Sequence, residues 1–525
     1  MKEANLHSPL ITCQAKKHNI MNKNIFNVFE SRFPENREAC FIETPNGTTY
    51  SYAHLEKETA RLARFLTDAG VVKGDRVAVQ VEKSAEVIFL YLACLRAGFV
   101  YLPLNTAYTE SELNYFIENA EPAVVVCKAQ AQTFFENAKS DSLLHVFTLA
   151  NDGETGTLVE NSRSTDAEFE TVSCDTDDLA VILYTSGTTG RPKGAMITHG
   201  NLASNGLALQ EAWEWKQEDV LLHALPIFHI HGLFIACHNV LLGGSKMLFV
   251  EKFDSKTMIE LLPKATVMMG VPTFYTRLLD DADFNADVCR NMRLFISGSA
   301  PLLEQTFNDF KKRSGHTILE RYGMTETGMN TSNPVNGERL AGTVGLPLPG
   351  VAARIVDADN NILTEGVGAL QVKGPNVFKG YWKLPEKTAE EFTADGYFKT
   401  GDMAEISDSC YISIVGRDKD MIITGGYNVY PKEIELVLDE VTGVKESAVF
   451  GLPHKDFGEA VTAVIVVENG QTAPSEADII KQLKLELASY KVPKKIIVVD
   501  ALVRNTMGKV QKNVLRETYS ELYNQ

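Results

Sequence analysis

The sequence predicts an α/β protein: a large N-terminal domain of parallel-rich sheets covered by helices and carrying a small β-rich subdomain, followed by a small α+β C-terminal domain. Three observations carry that expectation. Short apolar runs that read as buried strands, such as residues 76–81, 123–127 and 179–183, alternate with stretches of helical periodicity. Between residues 342 and 415 the texture changes to short strands separated by Gly, Pro and Asp turns. Beyond a charged break at residues 416–420, the chain carries a further set of apolar strands and helices of its own.

Taken in order, residues 1–24 hold scattered lysines and no apolar centre, which excludes a secretory signal pattern. Met21 is a second candidate start, which would make the first 20 residues an extension. A helix opens at Ile25. Residues 40–43 and 48–52 flank Asn46-Gly47, the signature of a hairpin. Residues 52–69 place Leu55, Leu62 and Leu66 on one helical face. A strand at 76–81 leads to a helix at 84–97, with Ser84 as its expected cap. Strands follow at 100–104, 123–127, 179–183, 221–225, 246–250, 265–269 and 292–296, with helices between them, one of them at 273–279. In the last part, strands are expected at 421–423, 448–450, 461–467 and 496–499, with helices from Pro431 and over 476–487. The boundaries therefore fall at 1–24, 25–416 and 417–525, and no internal repeat interrupts them.

A chain of 525 residues is long enough for two or more domains with large cores. Its 44% hydrophobic and 23% charged residues are those of an ordinary soluble protein. A net charge of −17, from 51 basic against 68 acidic residues, argues against a nucleic-acid partner. It leaves room for an anionic small molecule, since local cradles override net charge. The eight cysteines are scattered singly with no C-x-x-C pair, so neither a zinc site nor a disulfide framework is indicated, and a reducing cytoplasm is expected. The longest apolar stretch, residues 87–95, is too short to span a bilayer, so no membrane partner is expected.

Chemistry concentrates first at Thr185-Ser-Gly-Thr-Thr-Gly-Arg-Pro-Lys193-Gly194, which follows the strand at 179–183. Gly187, Gly190 and Gly194 allow close approach of backbone to ligand. Thr185, Ser186, Thr188 and Thr189 add hydroxyls, and Lys193 adds a positive charge, which together suit a polyphosphate. The spacing is not that of the Walker loop. Ser297-Gly-Ser-Ala-Pro301 ends a strand, where open α/β sheets bind ligands. Glu320-Arg-Tyr-Gly-Met-Thr-Glu326 offers an aromatic for a planar base, with Thr325 for a phosphate and Glu326 for Mg²⁺. Asp402, expected in a loop, and Arg417 could hold ribose hydroxyls. Lys509 follows a glycine in a polar loop. Each of these, taken alone, also reads as an ordinary turn or surface residue.

Together they have a family pattern. From about residue 25 to 521 the chain resembles the adenylate-forming superfamily of acyl-CoA synthetases, luciferases and peptide-synthetase adenylation domains. The phosphate loop, Tyr322-Gly-Met-Thr-Glu326, Thr400-Gly-Asp402, Gly416-Arg417, Gly425-Gly-Tyr-Asn-Val-Tyr-Pro431 and Asn505-Thr-Met-Gly-Lys509 occur in the family's order. The resemblance implies that residues 25–416 bind ATP and an acid, and that residues 417–525 are mobile. Thr185, Ser186, Gly187, Thr188, Thr189, Gly190 and Lys193 would then hold the ATP phosphates. Gly298, Ser299, Ala300, Glu320, Arg321, Tyr322 and Gly323 would line the adenine. Thr325 would touch the α-phosphate and Glu326 the Mg²⁺, with Asp402 and Arg417 at the ribose. Lys509 would bridge the attacking carboxylate and the α-phosphate. Lys419 would be the hinge, and Gly425 and Gly426 would line the passage for coenzyme A.

The acid is read from a second set of residues. Leu225-Pro-Ile-Phe-His229-Ile-His231-Gly232 and Gly270-Val-Pro-Thr-Phe-Tyr-Thr-Arg277 carry unusual charge for an acyl pocket. Arg277 lies one turn beyond Thr273, and a guanidinium facing such a pocket calls for an anionic partner. These stretches, with residues 102–108 and 375–382, resemble the malonate-activating members of the family. That implies malonate or methylmalonate as substrate, with Arg277 on its distal carboxylate and His229, His231 and Ser299 nearby. ATP, Mg²⁺ and coenzyme A would be the cofactor and co-substrates, and the protein would be a monomer or weak homodimer. Two other readings stay open here: a ligase for monocarboxylic or aryl acids, and a non-catalytic adenylate-binding module.

Overall fold

The computed structural model describes residues 11–12, 23–138, 140–185, 192–424, 427–454, 457–468, 470–471, 473–505 and 508–523. The expected phosphate-loop residues Ser186, Gly187, Thr188, Thr189 and Gly190 therefore lie outside the described residues, as do Gly425 and Gly426.

Among the described residues, two large sheets dominate. A seven-stranded sheet runs Gly380–Tyr381, Lys193–Thr198, Leu179–Thr185, Val100–Pro103, Arg76–Gln80, Val124–Cys127, His145–Thr148. It is parallel from Leu179–Thr185 onward and antiparallel where Lys193–Thr198 pairs with its two neighbours. A nine-stranded sheet runs Leu346–Pro347, Gly328–Ser332, Leu319–Met324, Leu294–Ser297, Val267–Gly270, Val220–His223, Lys246–Phe249, Cys40–Glu43, Thr49–Ser51. Its middle six strands are parallel and its ends antiparallel, the last by the hairpin that Asn46-Gly47 signalled. Near-continuous Val, Ile, Leu and Met in these strands is what burial on both faces selects.

The helix Ala85–Ala97 is buried on every side except at Glu86 and Arg96. The apolar run at 87–95 is thus a core helix. No helix among the described residues is long and apolar enough to cross a membrane. Ser84 precedes that helix but makes no capping bond with its side chain.

A five-stranded antiparallel sheet forms the β-rich part, in the order Ile11–Thr12, Ala352–Val356, Val367–Lys373, Phe398–Ile406, Ile412–Arg417. Asp402 lies inside the Phe398–Ile406 strand, paired with Arg417, and not in a loop. Its neighbour Gly401 has φ +70°, a left-handed conformation that side chains strain to adopt, where the strand bends. The Asp418–Asp420 turn follows, and the rest of the chain builds its own sheet. Tyr427–Val429, Ile422–Thr424, Gly458–Val467 and Val444–His454 pair in that order, with Lys495–Val499 parallel to Gly458–Val467. This sheet has separate apolar cores, one around Ile434, Leu438 and Ile465 and one around Phe450 and Leu515.

In the nine-stranded sheet, the parallel strands ending at His223, Gly270 and Ser297, and the strand Leu319–Met324, discharge their following residues at one edge. That edge is where open parallel sheets bind ligands. A buried lysine ties it together: Lys83 Nζ donates to the carbonyls of His223 (3.0 Å), Leu225 (3.0 Å) and Val250 (2.7 Å), and lies 4.3 Å from the Phe249 ring. Burial pushes its ammonium down to about 7. Replacing Lys83 by Met is expected to strand these acceptors and lower stability by about 2–5 kcal/mol, since each unsatisfied buried group costs about 1–3 kcal/mol. Urea unfolding of both proteins checks this; an unchanged midpoint would remove the bracing role.

Candidate active site

The acid side of the cleft is built on the strand ends. Leu294–Ser297 delivers Gly298 and Ser299, and the parallel Leu319–Met324 strand carries Glu320, Arg321 and Tyr322 beside it. Glu320 to Tyr322 are therefore strand residues, fixed by the ladder. Arg321 is 3% exposed. Its guanidinium lies flat over Gly298: a Cβ there would fall 2.3 Å from its Cζ. Ser299 has φ +72°, an unfavourable value for a side-chain residue and of the kind found at functional sites. The strain aims its hydroxyl at His231, with Oγ 3.2 Å from Nδ1.

His231 opens the His231–Cys237 segment of π-helix, a wide turn often found at functional sites. His223 holds that turn, its Nε2 lying 2.9 Å from the Gly232 carbonyl. His229 is half-buried, and its Nδ1 accepts the His231 N–H at 3.3 Å. Burial pushes the His229 imidazole down to about 4, helped by the charges of Arg321 and Lys509. Burial likewise holds His231 well below its usual range, so both rings are neutral at physiological pH.

Several buried polar atoms here have no partner: Arg321 Nε and Nη2, His231 Nε2 and Ser297 Oγ. Buried polar groups are normally satisfied, so an unpaired cluster of this kind marks a candidate ligand site. Burial pushes Arg321 down to about 10, which still leaves it charged at neutral pH. Burial also pushes the adjoining Glu320 carboxyl up to about 7, and among the described residues Arg321 forms no ion pair. A lone buried guanidinium beside a neutral imidazole and a serine is a site for an anion.

Arg277 is different. The acyl-pocket expectation placed it inward, but on the helix Pro272–Asp280 it is exposed. The buried face of that helix belongs to Phe274, Tyr275 and Leu278, and Tyr275 Oη donates to the Ile296 carbonyl at 2.6 Å. Helical spacing puts Arg277 one turn beyond Thr273, on the same side of the helix. The buried arginine is Arg321, a residue that the family resemblance assigns to the adenine wall. A charged residue inside a short apolar strand was the signal that could have found it.

The nucleotide side lies against the β-rich sheet. Asp402 is 3% exposed, ion-paired to Arg417 Nε at 2.7 Å, and accepts a hydrogen bond from Tyr322 Oη. A carboxylate already held by two donors is a rigid acceptor for vicinal hydroxyls. Thr185 ends the Leu179–Thr185 strand opposite Lys193. Lys193 Nζ sits 4.3 Å from the Tyr381 ring and 3.8 Å from Glu391. Glu326 is 6% exposed, and burial raises its carboxyl; one oxygen accepts from Tyr381 Oη at 3.0 Å. Thr325 precedes it on the same turn, Gly323 stands two residues earlier in the Leu319–Met324 strand, and Ala300 follows Ser299, all half-buried. Among the described residues no three His, Cys, Asp or Glu side chains converge as a metal cage. A single buried carboxylate fits Mg²⁺ that is held mainly by a nucleotide's phosphates.

From the C-terminal sheet, the loop Asn505–Lys509 reaches this cleft, with Gly508 packed near Thr273. The loop is closed by Asn505 N–H on the Lys509 carbonyl at 2.9 Å and Arg504 on the Gly508 carbonyl at 2.6 Å. Lys509 keeps solvent contact at the cleft. The surrounding protein nonetheless pushes its ammonium down to about 8, with Arg417 adding to the effect and Asp402 opposing it. Lys419 stands in the Asp418–Asp420 turn that joins the two parts, beside Asp420, which pairs with Arg516 at 2.9 Å.

The AMP-binding enzyme family model matches residues 27–382, and the AMP-binding enzyme C-terminal domain model matches residues 433–509. The chain belongs to the AMP-binding enzyme family. A malonate–CoA ligase of Arabidopsis thaliana is 36% identical over 94% of this chain and 89% of its own length. The ATP-bound crystal structure of MatB from Rhodopseudomonas palustris is 52% identical, covers 96% of this chain and 100% of its own, and superposes with a TM-score of 0.93. The apo structure of the same protein, with the same coverage, superposes at 0.83. The α/β architecture expected from the strand–helix alternation agrees with that of MatB.

Two predictions follow from the geometry. Gly298→Ala places a methyl inside the Arg321 guanidinium and should cut kcat/KM for the acid about 10²-fold while leaving the melting temperature nearly unchanged. Steady-state kinetics and thermal unfolding measure the two halves. Because its pKa lies near 8, Lys509 loses its proton as pH rises through that value. If the ammonium is the working form, kcat/KM for ATP should fall above about pH 8 in the wild type but not in Lys509→Arg. A pH–rate profile without that limb would detach Lys509 from the chemistry.

Proposed function

We propose that this protein is an ATP-dependent CoA ligase that activates malonate, or methylmalonate, as an acyl-adenylate and then forms the CoA thioester, releasing AMP and pyrophosphate. One observation carries the choice of acid: the buried, unpaired Arg321 guanidinium beside His231 and Ser299. An apolar acid would leave that charge uncompensated, at about 3–5 kcal/mol. A dicarboxylate brings one carboxylate for Arg321 and leaves the other free to react. The relatives named as malonate–CoA ligases support the same reading.

In the first step the free carboxylate attacks the α-phosphorus, forming an O–P bond as the bond to the pyrophosphate oxygen breaks. Both reactants are anionic, so the site must cancel repulsion and hold an in-line geometry. Lys193, Thr185 and the hydroxyl-rich loop hold the phosphates. Tyr322, Gly323, Ala300 and Glu320 wall the adenine, and Asp402 with Arg417 takes the ribose hydroxyls. Thr325 faces the α-phosphate. Glu326 would hold Mg²⁺, which neutralises phosphate charge when bound. Lys509 stabilises the charge developing between carboxylate and α-phosphate, a contact whose loss costs about 10²–10³ in rate. The neutral His229 and His231 let Arg321 remain the dominant charge at the distal carboxylate, so the substrate is oriented with one end only toward the phosphorus.

In the second step the CoA sulfur attacks the acyl carbon and AMP leaves. Lys509 is close enough to Asp402 and Arg417 to feel their charges; for the second step the small domain turns about Lys419 and the segment holding Gly425 and Gly426 takes its place. The protein acts as a monomer or weak homodimer.

Thioester formation is measured with malonate, methylmalonate, acetate, butyrate and benzoate on wild type, Arg321→Met and Arg277→Ala. Wild type should prefer malonate over butyrate by about 10³ or more, because a site built for a polar group rejects analogues lacking it. Arg321→Met should lose malonate activity at least 10²-fold with KM for ATP nearly constant, and Arg277→Ala less than tenfold. A wild-type preference for a monocarboxylic or aryl acid would sink the substrate assignment and leave the ligase chemistry standing.

A further inference from the structure

We infer that Tyr381 is a positioning residue of the nucleotide site, holding Glu326 and Lys193 in a fixed mutual geometry through its hydroxyl and its ring. The inference rests on the roles proposed above for those two residues. Tyr381 is 3% exposed, and its Oη donates to Glu326 at 3.0 Å. The Lys193 ammonium stands 4.3 Å from the centre of its ring. One side chain thus contacts the carboxylate and the lysine that would grip opposite sides of a metal-bound triphosphate.

The backbone frame around Tyr381 is rigid. The Gly380–Tyr381 strand pairs with Lys193–Thr198, placing Tyr381 opposite Ala195. Trp382 N–H donates to the Gly194 carbonyl at 2.7 Å, and Tyr381 N–H donates to Thr388 Oγ1 at 2.9 Å. The phosphate-loop strand and the tyrosine therefore move as one unit. Burial raises the phenol well above its usual range, so it stays protonated and donates. Its bond fixes one carboxylate oxygen of Glu326. The ammonium over the ring draws electron density from the phenol and strengthens that donor. Lys193 also lies 3.8 Å from Glu391, which is shared with Lys387 at 3.1 Å. An arriving triphosphate takes the place of Glu391, and the ring keeps the lysine from swinging away.

The test uses the full chain, α,β-methylene ATP as a nucleotide that cannot be adenylated, and Mn²⁺ counted by electron paramagnetic resonance. Tyr381→Phe keeps the ring and removes one oxygen. It should weaken Mn²⁺ binding to the enzyme–nucleotide complex about tenfold, as loss of a partner behind a metal ligand does, and leave metal-free nucleotide affinity within twofold. Glu326→Gln should weaken Mn²⁺ binding as well, and the double variant should show no further loss, because Tyr381 acts through Glu326. Tyr381→Leu should in addition lower metal-free nucleotide affinity, as Lys193 loses its rest. Wild-type Mn²⁺ affinity in Tyr381→Phe, or additive losses in the double variant, would overturn the inference. An unaffected Glu326→Gln would instead overturn the metal role of Glu326 itself, and this inference with it.

Discussion

A guanidinium buried without a counter-ion is costly, and much of the acid side of this molecule is arranged around keeping Arg321 in that condition. Gly298 supplies the flat surface on which it lies. The parallel pairing of Ser297 with Glu320 fixes the distance between that surface and the arginine. Glu320, the nearest carboxyl in sequence, is pushed toward its neutral form by burial and does not quench the charge. His231 and His229 are held neutral by the same burial, so they add hydrogen-bonding capacity without competing as cations. The site is thus prepared for an anion that the chain does not provide.

The nucleotide side follows the opposite design. Asp402, Arg417 and Tyr322 already satisfy one another, as do Glu326 and Tyr381. Here each carboxylate already accepts from a donor of the chain, Asp402 from Arg417 and Tyr322 and Glu326 from Tyr381, which fixes the orientation of both. That difference suits the two partners. A nucleotide shared by a whole family needs rigid, generic contacts, whereas discrimination among acids needs a group whose pairing is withheld.

Lys509 connects these halves from outside both large sheets. Its loop belongs to the C-terminal sheet, yet it lies close enough to Asp402, Arg417 and His229 for their charges to influence one another. The chain superposes on the ATP-bound form of MatB with a TM-score of 0.93 and on its apo form with 0.83. The sheet that precedes this loop has an apolar core of its own, around Ile434, Leu438 and Ile465.

Much of this was legible in the sequence for a local reason. Strand and helix periods, the Asn46-Gly47 hairpin and the glycine-rich turns are written in consecutive residues, and the boundaries of most elements agree with the structure to within a few positions. The family motifs are equally local, which is why residues such as Asp402, Arg417, Glu326 and Lys509 could be singled out before they were seen to converge. Burial, by contrast, is a property of the whole fold. Arg277 and Arg321 cannot be told apart by sequence pattern, each being an arginine in a partly apolar element. Only the packing of the Pro272–Asp280 helix on the sheet turned the first outward, and only the strand pairing enclosed the second. The same holds for Asp402, whose place in a strand required a distant partner at Arg417, and for Tyr381, whose two contacts come from residues 55 and 188 positions away. The sequence by itself determined which elements form and which family chemistry they serve. The tertiary structure decided which charge is left unpaired, because desolvation depends on what every other element brings to that point.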